Sequence, residues 1–155
     1  MGQALSAPVI NDVSTNLEDP PVFSRSQHPA ALSDTVKRAC SKAYAKLQPL
    51  AVPGGDAAAV FAAARRAAAA LPRARIVHED AAAGVLELLD VTALMRFKDD
   101  VAVRVRPSPS GGDVVVDVRS ASRVGKGDLG ANAARISKYM EALRRELGMP
   151  SGGQS

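Results

Sequence analysis

The residues richest in chemistry lie between positions 119 and 135. Arg119, Ser120, Ser122, Arg123, Lys126, Asp128, Asn132 and Arg135 bring guanidinium, ammonium, hydroxyl, carboxylate and amide groups into a stretch that also holds Gly125, Gly127 and Gly130. The stretch follows an alternating apolar run and opens a helical pattern. A glycine-rich turn at a helix start presents free backbone N–H groups and the positive end of the helix dipole. Flanked by Arg, Lys and two hydroxyls, such a turn suits a phosphate, a carboxylate or an acidic head group. The same residues also read as architecture, with glycines supplying special backbone angles, Asn132 capping the helix and Arg123 pairing with a carboxylate. Gly125, Gly127 and Gly130 match the dinucleotide fingerprint G-x-G-x-x-G. Three features oppose a dinucleotide fold. The preceding strands read as antiparallel, no later strand completes a βαβ unit, and the acidic residue expected about 20 positions on would fall in the C-terminal tail.

Asp99 and Asp100 form the second constellation. Neighbours on a strand point to opposite faces, so the two carboxylates do not make an acid–base pair by themselves; pairing with Arg119 or Arg123 across a sheet is the plain expectation. A metal would need further oxygen or nitrogen ligands, with Asp128 a candidate. His28 and His78 are isolated, and no metal or cofactor is assigned. No nucleophile elbow surrounds a serine, and nothing in the sequence brings His78 to Ser120 or Ser122. Cys40 is the single cysteine; it forms no internal disulfide and reads as a small buried hydrophobe on a helix face. Met1-Gly2-Gln3-Ala4-Leu5-Ser6 fits the N-myristoylation pattern with Gly2 as acceptor. No polybasic run follows, so one acyl chain would give only weak, reversible membrane association.

The elements that must position these residues follow from periodicity. Residues 7–32 are broken by Pro8, Pro20, Pro21 and Pro29, yet carry Val9, Ile10, Val13, Leu17, Val22 and Phe23, and are expected to lie against the domain. Ser33-Asp34 can cap a helix over 34–48 with Val36, Cys40, Tyr44 and Leu47 as its stripe. Asp56 caps an Ala-rich helix reaching Leu71. Strands are expected at 75–78, 84–94, 98–107 and 113–120. Val101, Val103 and Val105 lie on one face of the third and Arg104 and Arg106 on the other; the fourth turns Val114, Val116 and Val118 inward and Asp117 and Arg119 outward. No helical pattern separates these strands, so they should be antiparallel, with Arg104, Arg106, Asp117 and Arg119 as an outward charge ladder. A final helix over 132–147 buries Ile136, Tyr139, Met140, Leu143 and Leu147. The expected fold is α+β: an antiparallel sheet of about four strands packed against two or three helices, in one domain over 33–148, with a Pro-containing arm over 1–32 and a flexible tail over 149–155.

Composition narrows the function classes. The chain has 155 residues, 46% hydrophobic but only 3% aromatic, so its core must be aliphatic. So few aromatic platforms argue against stacking on single-stranded nucleic acid. The net charge of +4 sits mostly in the C-terminal half and is too mild for a nucleic-acid footprint. No apolar run reaches the roughly 20 residues of a membrane span. No secretory signal or transit peptide is evident.

The chain resembles the domain-of-unknown-function family numbered 1499 over about residues 10–147. The resemblance rests on Arg119-Ser120-Ala121-Ser122-Arg123-Val124-Gly125 followed by Asp128-Leu129-Gly130, Asn132, Arg135 and Ile136. Asp12-Val13-Ser14-Thr15-Asn16, Asp19-Pro20-Pro21-Val22-Phe23 and Phe97-Lys98-Asp99-Asp100-Val101 support it. Members of that family occur in bacteria, algae and plants, many predicted near membranes or in plastids, with no established activity, cofactor or substrate. The resemblance implies a fold and a choice of surface rather than a mechanism. Arg96 departs from the Gly usual there, Gly127 from Ser and Ala133 from Arg. The Gly127 departure makes the dinucleotide pattern accidental, and the loss of a basic residue at 133 weakens an anion site.

Three functional expectations follow. The leading one is a non-catalytic binding or accessory protein that uses the 119–135 loop, with Asp99 and Asp100 nearby, to hold an acidic small molecule or protein partner. The second is a small enzyme in which Asp100, Asp128, Ser122 and Arg123 converge in one cleft. The third is a structural subunit of a larger assembly, an organellar one among the options. The cytoplasm is the expected compartment, with weak membrane association through Gly2 and a plastid or other organelle left open.

Overall fold

The computed structural model describes residues 7–152; Gly2 lies outside the described residues. In chain order the elements are β1 (Asp12–Ser14), α1 (Asp34–Ala43), β2 (Leu50–Pro53), α2 (Ala57–Ala67) with a 3-10 turn (Ala68–Ala70), β3 (Ala74–Asp80), β4 (Val85–Val91), β5 (Lys98–Pro107), β6 (Asp113–Ser122) and α3 (Ala131–Glu146). The sheet is wholly antiparallel, in the order β1-β6-β5-β4-β3, and β2 also pairs with β6. β1 and β2 share one edge of β6: Val13 faces Ser120 near its end and Leu50 faces Val116 near its middle. The class is α+β as expected, but six strands replace about four. The two unforeseen strands are short: β1 has Asp12, Val13 and Ser14 all buried and so shows no alternation, and β2 is only four residues between Pro49 and Gly54, too short for its alternation to stand out.

Local sequence sets the helix ends. Ser33 Oγ accepts from Val36 N–H at 3.2 Å and Asp56 Oδ2 from Ala59 N–H at 2.9 Å, capping α1 and α2. α1 stops at Ala43, short of the expected 48, because the chain must turn at Tyr44 to bring Leu50 into the sheet beside Val116. α2 packs closely through Ala63, Ala64 and Ala67, and the hydroxyl of Tyr139 on α3 donates to Ala64 O at 2.7 Å. Burial drives the Tyr139 phenol well above its ordinary value. Between β3 and β4, Gly84 has φ +71°, and a Cβ there would sit 2.1 Å from Val105 O. The helix face of the sheet carries Leu86, Leu88, Val101, Val103, Val116 and Val118, each at most 1% exposed. Each such side chain contributes about 1.5–3 kcal/mol on burial.

The opposite face was expected to be wet and is not. Asp117 and Arg119 are fully buried and Glu87 is 2% exposed. Residues 15–29 cross this face as a strap and seat Phe23 against Ala102 and Ala121. Half of the expected charge ladder forms there: Arg104 and Arg106 both donate to Asp117, but Arg119 pairs with Asp12 instead. Among the described residues no helix is long and apolar enough to cross a membrane.

Candidate functional site

The sheet divides the sequence-selected residues. β6 turns Ser120 and Ser122 toward α3 and Arg119 toward the strap; β5 turns Asp99 toward α3 and Asp100 toward the strap. The two aspartates thus face opposite ways, as strand geometry requires.

On the helix face a buried polar network closes one end of the core. Ser120 Oγ donates to Asn132 Oδ1 at 2.6 Å, and Asn132 Nδ2 donates to Ser122 Oγ at 2.9 Å and Asp128 Oδ2 at 2.7 Å. Arg135 is consumed entirely. Its Nε donates to Asp90 at 2.9 Å, Nη2 to Asp99 at 2.7 Å, and Nη1 to Asn132 Oδ1 at 2.8 Å and Ser120 Oγ at 3.1 Å. The start of α3 is likewise filled from within. Asp128 accepts from the backbone N–H of Gly130 at 2.8 Å and of Asn132 at 3.2 Å. Asp128 is therefore the cap, whereas Asn132 is a buried bridge between β6 and the loop. Gly130 permits the turn with φ +82°.

On the strap face Arg119 forms a bidentate pair with Asp12 at 2.9 and 2.7 Å, and donates to the carbonyls of Pro21 at 3.0 Å and Pro29 at 2.8 Å. Its guanidinium lies 4.9 Å from the centre of the Phe23 ring. Arg119 thus ties β6 to β1 through Asp12 and holds the strap down through the carbonyls of Pro21 and Pro29. Farther along, Glu87 accepts from Ser24 Oγ and from the backbone N–H groups of Ser24 and Arg25.

At the strap's far end Asp100 accepts from Arg123 Nε at 2.8 Å and Nη2 at 2.9 Å, and from His28 Nε2 at 2.9 Å. Burial works to raise this carboxyl, but the hydrogen bonds and charges of His28 and Arg123 outweigh it and hold it down to about 2. Beside the triad opens a cleft of about 360 Å³ lined by Arg25, Ser26, Gln27, His28 and Arg123. The Oγ of Ser26 is buried without a hydrogen-bond partner. Arg25 Nη2 is steadied 3.2 Å from His78 Nδ1.

The ten sequence-selected residues thus do not form one site. Asp99, Ser120, Ser122, Asp128, Asn132 and Arg135 share the helix-face network. Asp100 and Arg123 form the strap-face triad with His28, Arg119 anchors the strap, and Lys126 stands exposed on the loop. Asp100 and Arg123 lie across the sheet from Ser122 and Asp128, so the four do not converge in one cleft. Sequence reasoning missed Asp90, Glu87, Asp12, Arg25 and Ser26. Acidic residues inside the apolar run of β4 were a usable signal for Asp90 and Glu87, because a buried carboxylate demands a partner. Among the described residues no group of three or more His, Cys, Asp or Glu is placed to hold a metal ion.

A family model described as protein of unknown function (DUF1499) matches residues 12–143, spanning every strand and nearly all of α3. No curated protein matches the chain. Among solved structures, DR_A0006 from Deinococcus radiodurans is similar at 13% identity and a TM-score of 0.41, over 65% of this chain and 98% of that one. Ara h 8.0201 is similar at 10% identity and a TM-score of 0.28, over 64% of this chain and 96% of that one. At these scores neither likeness carries an argument about fold or function.

Proposed function

The chain belongs to the DUF1499 family of unknown function, and on that premise we propose that it is a non-catalytic binding or accessory protein holding a small acidic ligand, or an acidic group of a partner, in the cleft beside Asp100. The observation that carries the reading is one convergence. Arg25, His28 and Arg123 line a single cleft together with Ser26, whose hydroxyl is buried without a partner. A buried hydroxyl without a hydrogen bond costs about 1–3 kcal/mol, and an anionic acceptor at the cleft would repair that loss. Asp100 is already engaged on both oxygens, which leaves Arg25 to set the sign of the field. The 119–135 loop contributes Arg123 to this cleft; of the other cations of that stretch, Arg119 and Arg135 are spent on buried carboxylates and Lys126 stands exposed outside the cleft lining.

The test is a thermal-shift series with inorganic phosphate, acetate and a dicarboxylate, repeated on Arg25→Ala and Ser26→Ala. A ligand at a hundredfold its dissociation constant stabilises the folded chain by about 2.7 kcal/mol, a rise of several degrees in Tm. The expected outcome is a rise that both variants abolish. No rise with any anion, or a rise that both variants retain, overturns the reading.

A further inference from the structure

One end of the molecule exposes large apolar side chains where a self-sufficient monomer would show polar ones. The end is formed where β4 finishes, β5 begins, β6 finishes and α3 starts, so the loops 92–97 and 123–130 emerge side by side. Arg123 N–H donates to Lys98 O at 3.0 Å, which extends the β5–β6 ladder into both loops and sets Val124 beside Phe97. Leu94 is 89% exposed, Met95 64%, Phe97 46%, Val124 58% and Leu129 94%. Of the seven large hydrophobic residues exposed among those described, these five lie on two adjacent loops, which decides against random scatter. The backbone is strained at the same places: among the described residues, the two non-glycine positions with positive φ are Arg96 at 54° and Leu129 at 53°. Such strain marks functional loops more often than framework.

The charges at this end are of one sign toward solvent. Arg96, Lys98 and Lys126 stand exposed among the apolar residues. The neighbouring acids are turned inward or consumed: Asp90, Asp99 and Asp100 are buried in ion pairs, and Asp128 caps α3. From this we infer that the end formed by loops 92–97 and 123–130 docks on an anionic lipid surface. The aliphatic side chains enter the headgroup boundary, and Arg96, Lys98 and Lys126 meet the phosphates and carboxylates. Apolar residues borne on projecting loops, rather than lining a groove, present nothing for a partner helix to lie in, and interleaved cations match an acidic interface. Arg123 borders both the Asp100 cleft and this end, but none of the side chains assigned to the lipid surface lines the cleft, so each reading has its own variants and its own test.

The test is co-sedimentation of the unacylated full chain with vesicles of phosphatidylcholine alone and of phosphatidylcholine with phosphatidylserine, at low and high salt. The expected result is binding to the anionic vesicles, weakened by salt. Leu94→Gln with Leu129→Asn should abolish binding, and each of Arg96→Gln, Lys98→Gln and Lys126→Gln should weaken it about fivefold. All of these sites are exposed, so Tm should hold, and Asn accepts the left-handed backbone at 129. Absence of binding to anionic vesicles at low salt overturns the inference. So does equal binding to both vesicle types, or binding that the Leu94 and Leu129 substitutions leave intact. Capture of an acidic protein by a chain that ignores vesicles would reassign the surface to that protein and overturn the lipid reading.

Discussion

On its helix face the sheet buries Leu86, Leu88, Val101, Val103, Val116 and Val118 under α2 and α3; on its strap face it buries Glu87, Asp100, Asp117 and Arg119 under a segment with no helix and little apolar side chain beyond Phe23. Both faces are dry, but the sources of cohesion differ. The helix face is held mainly by area, which is non-directional and tolerant of small shifts, with directed bonds confined to the Arg135 network at one end. The strap face is held by directed bonds between charges and carbonyls. Such pairs add modestly when complete and cost heavily when one partner is lost. A strap fixed in this way is specified to a single position, and acid or the loss of one side chain can release it while the rest of the fold persists.

The comparison can be broken most sharply at Arg119. Arg119→Ala should cost about 3–5 kcal/mol, since it leaves the Asp12 carboxylate and the Pro21 carbonyl buried without their donor and strips the Pro29 carbonyl of its own. Leu88→Ala, on the opposite face of the sheet, should cost about 2–5 kcal/mol through cavity formation. Urea unfolding measures both, and hydrogen exchange separates them. In Arg119→Ala, amides of residues 15–29 should lose protection first; in Leu88→Ala all strands should weaken together. If Arg119→Ala loosens both faces equally, the two are not distinct in their cohesion.

Acid sharpens the same contrast with a smaller effect. The Asp100 carboxyl is held at about 2 against an ordinary value of 3.8, so its folded pKa is depressed. Its contribution to stability is therefore complete above roughly pH 4 and is lost as pH falls toward 2. Urea midpoints taken down through that window should fall in the native chain and fall less in Asp100→Asn. Equal slopes would show that the triad of Asp100, His28 and Arg123 adds nothing to the strap.

The smallest expected effect is a gain. Arg96→Gly relieves a backbone at φ 54° and should leave stability unchanged or raise it slightly, by about 1 kcal/mol at most once the added freedom of the unfolded chain is subtracted, read as a level or slightly raised Tm. Loss of stability on this change would mean that the Arg96 side chain makes a contact worth more than the strain.

How much of this was legible follows from what each residue needs. β5 and β6 were readable because Val101, Val103 and Val105 and then Val114, Val116 and Val118 recur at a strict period of two, and the expected start and end of β5 coincide with Lys98–Pro107. α3 was readable from its stripe, and the opposite facing of Asp99 and Asp100 from the pleat alone. β1 was not, because three residues buried on both sides carry no period. The wetness of Arg119 and Asp117 was misread for a related reason. Alternating charge on a strand is the ordinary sign of a solvated face, and only the partner Asp12, over a hundred positions earlier, reverses it. The network of Ser120, Asn132 and Arg135 was half visible: the residues stood out by type, but Asp90 was passed over although a carboxylate inside an apolar run signals a buried partner.

β1 pairs with the end of β6, Asp12 against Ala121. A chain leaving the ribosome therefore carries its first strand unpaired until nearly all of the remaining sheet has been made. The β3–β6 strands pair with their sequence neighbours and β1 only with β6, so capture of the strap follows those local pairings. Until then Val13, Ile10 and Phe23, all buried in the finished molecule, remain open to chaperones, and any nascent chain cut short before Ser122 has no template for its own beginning.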